Sequence, residues 1–233
     1  MNQMLKTTGL KLVLLALGLV LLTPQAFAQD CCKETKLRWG VTAGFNGLNG
    51  NTLNLSDHRG RYGFNVGARM EYLFRTTPSR AYLDAELGLM KLGWKGSSNG
   101  DYYYSDYYKD ETNAQFKNWK ATMDAYYLHL PIHIGYRWAF SKACALYVDA
   151  GPYFSLGLFG KGKVKDLDNK KTTEADTFDQ IRRFDWGLGA RLGVEVADHY
   201  RIGIGYDYGL RKMDKQSLDR KNRNFTISIG YMF

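Results

Sequence analysis

Apolar and polar residues alternate strictly over the last ten positions of the chain. Five apolar side chains share one parity there: Phe225, Ile227, Ile229, Tyr231 and Phe233. A period of two predicts a β-strand with one apolar and one polar face. The strand ends on an aromatic residue of its apolar face. That ending is typical of a transmembrane barrel, whose last strand pairs with its first and carries a terminal aromatic at the membrane interface. Insertion and closure of the barrel are therefore expected to depend on Phe225, Tyr231 and Phe233.

The same alternation predicts seven earlier strands, at 36–46, 62–74, 81–94, 125–140, 145–159, 184–196 and 200–210. Eight is an even number, and each segment is long enough to cross a bilayer at a tilt of about 45°. Short gaps (75–80, 141–144, 197–199) alternate with long ones (47–61, 95–124, 160–183, 211–223). We therefore expect an all-β, eight-stranded antiparallel up-and-down transmembrane β-barrel, with short periplasmic turns, long outer loops and both termini in the periplasm.

A soluble barrel would turn the apolar face inward, and two features argue against it. The polar face is rich in glycine, which weakens a water-facing strand but makes room for long charged side chains inside a narrow barrel. Aromatic residues gather at both ends of the apolar face, with Trp138 and Phe233 at one end and Phe45 and Trp186 at the other. Two such girdles are typical of a membrane barrel, so the apolar face is expected to meet lipid.

The N-terminal segment has the pattern of a secretory signal peptide. Lys6 and Lys11 precede an apolar run, and small residues flank Phe27. We expect a signal peptide at 1–28, a periplasmic leader at 29–35 and the barrel domain at 36–233. Beyond the signal there is no long apolar run and the mean hydropathy is −0.40, which argues against a helical membrane protein.

The charge balance favours an anionic neighbour. The net charge is +9, and removing the two lysines of the signal peptide leaves +7. For an exported chain, outer-membrane lipid and the phosphates of lipopolysaccharide are better partners than nucleic acid, for which no motif is present. Other envelope proteins are further possible partners.

Three cysteines are too few for a disulfide scaffold, and no Cys/His spacing fits zinc. Cys144 falls in a predicted periplasmic turn and the other two in the leader, so all three share an oxidising compartment. A disulfide is predicted between Cys144 and either Cys31 or Cys32. No metal or cofactor site is predicted.

Catalytic groups are sparse. The trio Ser56, Asp57 and His58 cannot form a triad, because the base must face the nucleophile across space, and it is interpreted as a polar turn. His129 and Ser155 are the one lumenal pair that would suit a lipid-modifying enzyme. A tyrosine-rich run at 101–108 is either a binding patch for protein or glycan or an extension of two strands above the membrane.

Charged residues of the polar face are predicted to form lumenal ion pairs: Arg38, Arg69, Glu71, Asp84, Glu86, Arg137, Asp149, Arg191, Glu195, Arg201 and Asp207. Counting back from the short turns places Arg69 opposite Glu86, Glu71 opposite Asp84, Glu195 opposite Arg201, Arg191 diagonal to Asp207, and Arg137 diagonal to Asp149. Arg38 is the expected cation beside the like-charged Glu71 and Asp84. Because a lumenal charge is costly unless paired, these residues are expected to plug the barrel.

Several motifs resemble the PorT-like outer-membrane β-barrel family of Bacteroidota, small eight-stranded barrels of the OmpX and OmpA kind. The resemblance spans the mature chain and is carried by Tyr127–Ile132, Asp149–Tyr153, Trp186–Gly189, Tyr206–Leu210 and the aromatic terminus. His129 replaces an acid usual in the first motif. The resemblance implies an outer-membrane location. The founding member is tied to type IX secretion, but most relatives have no assigned activity, so that role is not carried over.

The sequence therefore predicts a non-enzymatic outer-membrane barrel with a side-chain-filled lumen, serving in envelope structure, adhesion, or as an accessory to a secretion or assembly complex. The alternatives are a small pore or a lipid-modifying enzyme.

Overall fold

A computed structural model describes residues 36–48, 59–102, 116–167, 170–213 and 221–233. Its strands are β1 (Leu37–Leu48), β2 (Arg59–Leu73), β3 (Arg80–Tyr102), β4 (Phe116–Ala139), β5 (Cys144–Asp166), β6 (Thr172–Asp176), β7 (Phe184–Val196), β8 (Tyr200–Lys212) and β9 (Lys221–Met232). One short helix, α1 (Thr177–Gln180), lies between β6 and β7. No helix among these residues is long and apolar enough to cross a membrane.

Eight of the strands close into a ring. Each pairs antiparallel with its neighbours in the order β1-β2-β3-β4-β5-β7-β8-β9, and β9 returns to β1. The closing ladder sets Val41 opposite Tyr231, and the Phe233 amide donates to the Trp39 carbonyl at 2.7 Å. The predicted up-and-down barrel of eight antiparallel strands is confirmed. The ninth strand, β6, pairs only with the distal part of β5.

The two faces of the ring are sorted as in a membrane barrel. Ile202 and Ile229 are 60% and 62% exposed, whereas Arg201, which directly precedes Ile202 on β8, is 2% exposed. Apolar side chains therefore point outward and charged side chains inward. Aromatic contacts mark both ends of the outer surface, with Tyr231 and Phe233 packed edge to face near the short turns and Tyr126 stacked on Phe159 near the long loops.

Three strands run further towards the long-loop end than predicted. β3, β4 and β5 continue well past residues 94, 125 and 159, and Lys95 still pairs with Thr122. These extensions carry few regularly spaced apolar residues: on β5, exposed Lys161, Lys163 and Lys165 alternate with Gly162, Val164 and Asp166. Alternation of apolar residues therefore could not detect them. Much of the predicted loop 95–124 is a continued hairpin.

The predicted loop 160–183 also differs from expectation, since it contains β6 and α1. Some predictions fall outside the described residues: those on 1–35 with Cys31 and Cys32, those on Ser56, Asp57 and His58, and most of the tyrosine-rich run. Its first tyrosine, Tyr102, lies opposite Phe116 in the extended β3–β4 hairpin.

Candidate functional site: a plugged lumen

Arginine and glutamate side chains fill the lumen at the short-turn end. The Glu195 carboxylate accepts hydrogen bonds from Arg137 Nε at 2.9 Å and from Arg201 Nε at 2.6 Å. Arg38 Nη1 lies 3.4 Å from the same carboxylate and 3.5 Å from Glu71. Arg201 also donates to Glu71. Each buried charge in this layer therefore has an opposite charge beside it, as burial requires.

A second layer, nearer the middle of the barrel, is organised around Arg191 on β7. Arg191 Nε donates to Asp149 Oδ1 at 2.8 Å, and Arg191 Nη1 donates to Glu86 Oε2 at 3.0 Å. The second terminal nitrogen donates to Asp84. These carboxylates belong to β3 and β5, so one guanidinium connects strands that are not all neighbours in the ring.

Neutral side chains complete the second layer. The Tyr82 hydroxyl donates to Asp149 Oδ2 at 3.0 Å, and His133 Nδ1 lies 2.7 Å from Asp149 Oδ1. Thr42 Oγ1 donates to Glu86 Oε1 at 2.7 Å. The Asp149 carboxylate is thus held by a cation, an imidazole and a phenol at once.

The strand register places the directly opposed residues as the turns indicated. Arg69 faces Glu86, Glu71 faces Asp84, and Glu195 faces Arg201. Contacts do not simply follow the register, however. Arg69 Nε lies 2.9 Å from Asp84 Oδ2 and 3.5 Å from Glu86 Oε2, so its nearer partner is the diagonal carboxylate.

The register confirms the two expected diagonal positions, but both arginines form their ion pairs with other residues. Asp207 faces Gly189 and is therefore diagonal to Arg191, but Arg191 reaches Asp84, Glu86 and Asp149 instead. Asp207 accepts from Asn224 at 3.2 Å. Arg137 is likewise diagonal to Asp149, but donates to Glu195 and to Asp198 in the β7–β8 turn. A long arginine in a narrow lumen reaches across it, and pattern counting along neighbouring strands does not show which residue it meets there.

A small polar cavity lies above the second layer. Its volume is about 40 Å³, and its lining includes Glu86, His129, His133 and Asp207. His133 Nε2 is buried with no hydrogen-bond partner among the described residues. A water molecule needs roughly 10–15 Å³ of cavity volume, so this cavity has room for about three water molecules.

His129 and Ser155 meet beside this cavity. His129 Nδ1 lies 2.8 Å from Ser155 Oγ, and His129 Nε2 lies 3.8 Å from Asp207 Oδ2. The three residue types are those of a hydrolytic triad, but Ser155 is only 2% exposed. Among the described residues, no group of three His, Cys, Asp or Glu side chains is placed to hold a metal ion.

An apolar cluster closes the lumen at the long-loop end. Phe178, on α1, packs into the barrel mouth against Met90, Leu92, Ala125 and Tyr127. Gly157 permits this approach, because a Cβ there would overlap the Phe178 ring. Thr177 Oγ1 donates to the Asp124 carbonyl at 3.0 Å, and Asp176 caps α1. The segment 172–183 therefore folds back as a lid, and sequence reasoning missed it because it carries no periodic pattern.

Cys144 begins β5 at the short-turn end, is half-buried and is a free thiol among the described residues. Its predicted partners, Cys31 and Cys32, lie outside those residues, so the disulfide stays a prediction. On the outer surface, Phe225 and Phe233 are exposed and Tyr231 packs on Phe233, and the role of the three in insertion also stays a prediction.

A model of one protein family, described as the outer membrane protein beta-barrel domain, matches residues 27–215. A search of curated proteins finds no match.

Similar solved structures include three bacterial outer-membrane proteins. The attachment invasion locus protein Ail of Yersinia pestis is 14% identical, with 85% of this chain and 100% of that chain covered and a TM-score of 0.40. A major outer membrane protein of Thermus thermophilus is 13% identical, with the same coverage and a TM-score of 0.44. OprG of Pseudomonas aeruginosa is 11% identical, with 84% and 94% covered and a TM-score of 0.35.

Proposed function

Because the chain belongs to the family of outer membrane protein β-barrel domains, we propose that it is a plugged, non-enzymatic barrel with a surface role in a Gram-negative envelope. We place it in the PorT-like branch of Bacteroidota, exported by the signal peptide at 1–28. The role is structural, adhesive or accessory to a secretion or assembly complex. Its partners are outer-membrane lipid and other envelope proteins.

The observation that carries this proposal is the double closure of the lumen. At the short-turn end, Glu195 and Arg201 belong to a buried layer of paired charges. At the other end, Phe178 on α1 is 2% exposed within the mouth. A solute would have to break ion pairs and displace an aromatic side chain to pass. We therefore assign the function to the surfaces outside the lumen.

The long strand extensions provide such a surface. β4 begins at Phe116, ten residues before the girdle residue Tyr126, which corresponds to roughly 33 Å of strand. Hydrogen-bonded extensions of β3, β4 and β5 support one another there, so a partner would meet an ordered hairpin surface. The tyrosine-rich run at 101–108 begins in the last residues of β3 and supplies aromatic side chains suited to protein or glycan contacts.

Three experiments test the proposal together. Refolded protein in planar bilayers is expected to show no stable single-channel conductance, and the protein in cells is expected in the outer-membrane fraction with heat-modifiable gel mobility. Co-purification after crosslinking of intact cells should recover envelope proteins, and deletion of the β3–β4 extension should abolish that recovery. Sustained conductance of the wild type would overturn the plugged barrel and favour a small pore.

The alternative of a lipid-modifying enzyme is favoured by one observation, the placement of Ser155, His129 and Asp207 within one cluster. Lid opening at Phe178 would be needed to admit an acyl chain. Mass spectrometry of lipid A from wild-type, deletion and Ser155→Ala strains tests it. Under the plugged-barrel proposal all three lipid profiles are the same.

A further inference from the structure

Arg80 begins β3 at the short-turn end of the lumen and has the same inward parity as the buried Tyr82. It lies directly opposite Arg137 of β4. Opposed side chains in an antiparallel ladder have Cβ atoms about 5 Å apart, so two cations there repel each other. Arg137 is compensated by Glu195, at 2.9 Å from its Nε. Within the described residues Arg80 has no ion-pair partner, and its side chain donates only to the Thr77 carbonyl, at 3.3 Å.

The carboxylates nearest the short-turn end are already paired with other arginines. Glu71 accepts from Arg38 and Arg201. Glu195 accepts from the same two arginines. Arg80 Nε is buried and has no hydrogen-bond partner in the part of the chain that the structure describes. A buried donor without a partner costs free energy unless water or a ligand satisfies it. The Arg80 guanidinium therefore offers both a charge and a donor to an incoming anion.

The backbone of two turns holds the neighbouring guanidinium groups in place. Arg137 Nη1 donates to the Pro78 carbonyl in the β2–β3 turn, next to the carbonyl that accepts from Arg80. Arg38 Nη2 donates to the Asp198 carbonyl in the β7–β8 turn. The cations at this mouth of the lumen are thus fixed before any ligand arrives, which lowers the cost of ordering them on binding.

Positive charge is in excess over the whole short-turn end. Residues 74–80 and 140–144, which contain two of the three short turns, carry Arg75, Arg80 and Lys142 but no acid. The third turn has one acid, Asp198, which is already paired with Arg137. Arg75 and Lys142 are exposed, whereas Arg80 is half-buried. The exposed cations attract anions to this end, and the half-buried one gives a carboxylate a specific place to bind.

We propose that Arg80, at the short-turn mouth of the lumen, binds a free carboxylate of the cell-wall peptides in the periplasm. The inference rests on the proposed function, because it needs the short-turn end to face the periplasm beneath an outer membrane. A planar guanidinium matches a carboxylate through two parallel hydrogen bonds. The cell wall is the polymer of that compartment that carries many carboxylates, so the two surfaces are complementary in charge.

Binding is tested by pelleting refolded full-length protein, in detergent, with cell walls that have been stripped of all protein. One batch of walls is untreated, and in a second batch the carboxylates are converted to amides with a carbodiimide and ammonia. The test variant is Arg80→Gln. The control is Lys142→Gln, which removes the same charge from an exposed side chain at the same end. Heat-modifiable gel mobility reports barrel formation in every sample.

Wild type is expected to bind untreated walls about tenfold more tightly than amidated walls, and Arg80→Gln to lose that preference. Lys142→Gln should stay within about twofold of wild type. Equal losses in the two variants would overturn the site, because they would show attraction to net charge alone. Equal binding of wild type to both kinds of wall would overturn the carboxylate assignment.

The stability of the variants separates a binding residue from a structural one. Because Arg80 has no acid to lose and faces another cation, Arg80→Gln should leave the urea midpoint of unfolding unchanged or raise it. Arg137→Gln removes a partner from the buried Glu195 and should lower that midpoint. An equal decrease in both variants would make Arg80 a structural residue and would overturn the proposal.

A competition experiment separates the possible sources of the anion. Soluble wall fragments released by a muramidase should displace the walls from wild type, whereas inorganic phosphate at the same ionic strength should not. Displacement by phosphate alone would identify a phosphate site and overturn the cell-wall assignment. A wild type that folds and inserts but binds neither kind of wall defeats this inference and leaves the proposed function standing.

Discussion

Tyr82 crosses its neighbouring strand over Gly135. The two residues face each other in the β3–β4 ladder, and a Cβ at Gly135 would stand 2.5 Å from Tyr82 Cζ. On its other side Gly135 faces Asp149 of β5, whose carboxylate accepts the Tyr82 hydroxyl at 3.0 Å. The glycine is therefore the gap through which a tyrosine reaches a carboxylate two strands away.

The same relationship recurs inside the barrel. Tyr147 faces Gly193, which in turn faces Gly203, and a Cβ at Gly193 would stand 2.5 Å from the Tyr147 hydroxyl oxygen. Tyr153 faces Gly187, where a Cβ would stand 2.7 Å from the ring. Packing of an aromatic side chain over a cross-strand glycine stabilises such positions. Lumenal glycines here accommodate tyrosines as well as the charged side chains that the sequence suggested.

Gly135→Val is expected to destabilise the barrel by about 1–3 kcal/mol, because the new side chain overlaps the Tyr82 ring. The free energy of unfolding in urea, measured on protein refolded in lipid vesicles, checks this. Gly47→Val is the matched control, since the nearest atom to a Cβ at Gly47 is 3.8 Å away in Tyr62. Equal losses in the two variants would show that valine itself, and not the overlap with Tyr82, is responsible.

The ring of strands can be predicted from the sequence because the alternation of apolar residues and the lengths of the loops are local properties. The short turns also fix which residues oppose each other, so Arg69 and Glu86 lie where counting places them. Counting residues along neighbouring strands does not show which side chains meet across the lumen. The three partners of Arg191 therefore could not be found in this way. The lid is a second example: Phe178 is one aromatic in a polar segment, and only the closed barrel supplies the apolar mouth that buries it.

Phe233→Asp is expected to reduce insertion of the barrel into the outer membrane. Phe233 is 62% exposed on the outer surface and packs on Tyr231. Its backbone amide donates a hydrogen bond to the Trp39 carbonyl across the β9–β1 seam. A carboxylate there would face the interface where an aromatic is favoured. Heat-modifiable gel mobility and outer-membrane level measure the effect. Phe140→Asp, at a similarly exposed aromatic of a short turn, is the control and should insert normally.

We expect Cys144 to form a disulfide with Cys31 or Cys32 in protein isolated from the envelope, leaving one thiol free. All three cysteines are predicted to share the oxidising periplasm. Mass spectrometry of non-reduced, alkylated digests identifies the pairing, and Cys144→Ser should leave two free or mutually bonded cysteines near the N-terminus. Detection of three alkylated thiols in the wild type would contradict the prediction.

Arg191→Ala measures whether the lumen is dry. Arg191 contacts Asp84, Glu86 and Asp149, so its removal strips a cation from three carboxylates at once. If water is excluded, the free energy of unfolding should fall by about 3–5 kcal/mol, because a charge left buried without its partner is strongly destabilising. If water enters, for example through the cavity lined by Glu86 and His133, the loss should approach the surface value of about 0–1 kcal/mol.

A double-mutant cycle separates the interaction between Arg191 and Asp149 from the other effects of removing the arginine. Arg191→Ala, Asp149→Ala and the double variant give the coupling across a contact of 2.8 Å whose side chains are 14% and 0% exposed. Arg61 and Asp124 provide the control cycle, with a similar contact of 2.9 Å but side chains that are 39% and 31% exposed. We expect a coupling free energy above about 1 kcal/mol for the lumenal pair and below it for the exposed pair. Equal and small couplings in the two cycles would mean that solvent screens both, because distance is matched and burial is the variable that differs. In a hydrated lumen the ion pairs would not block the passage of solutes. The small pore would then be the better explanation of this barrel's function.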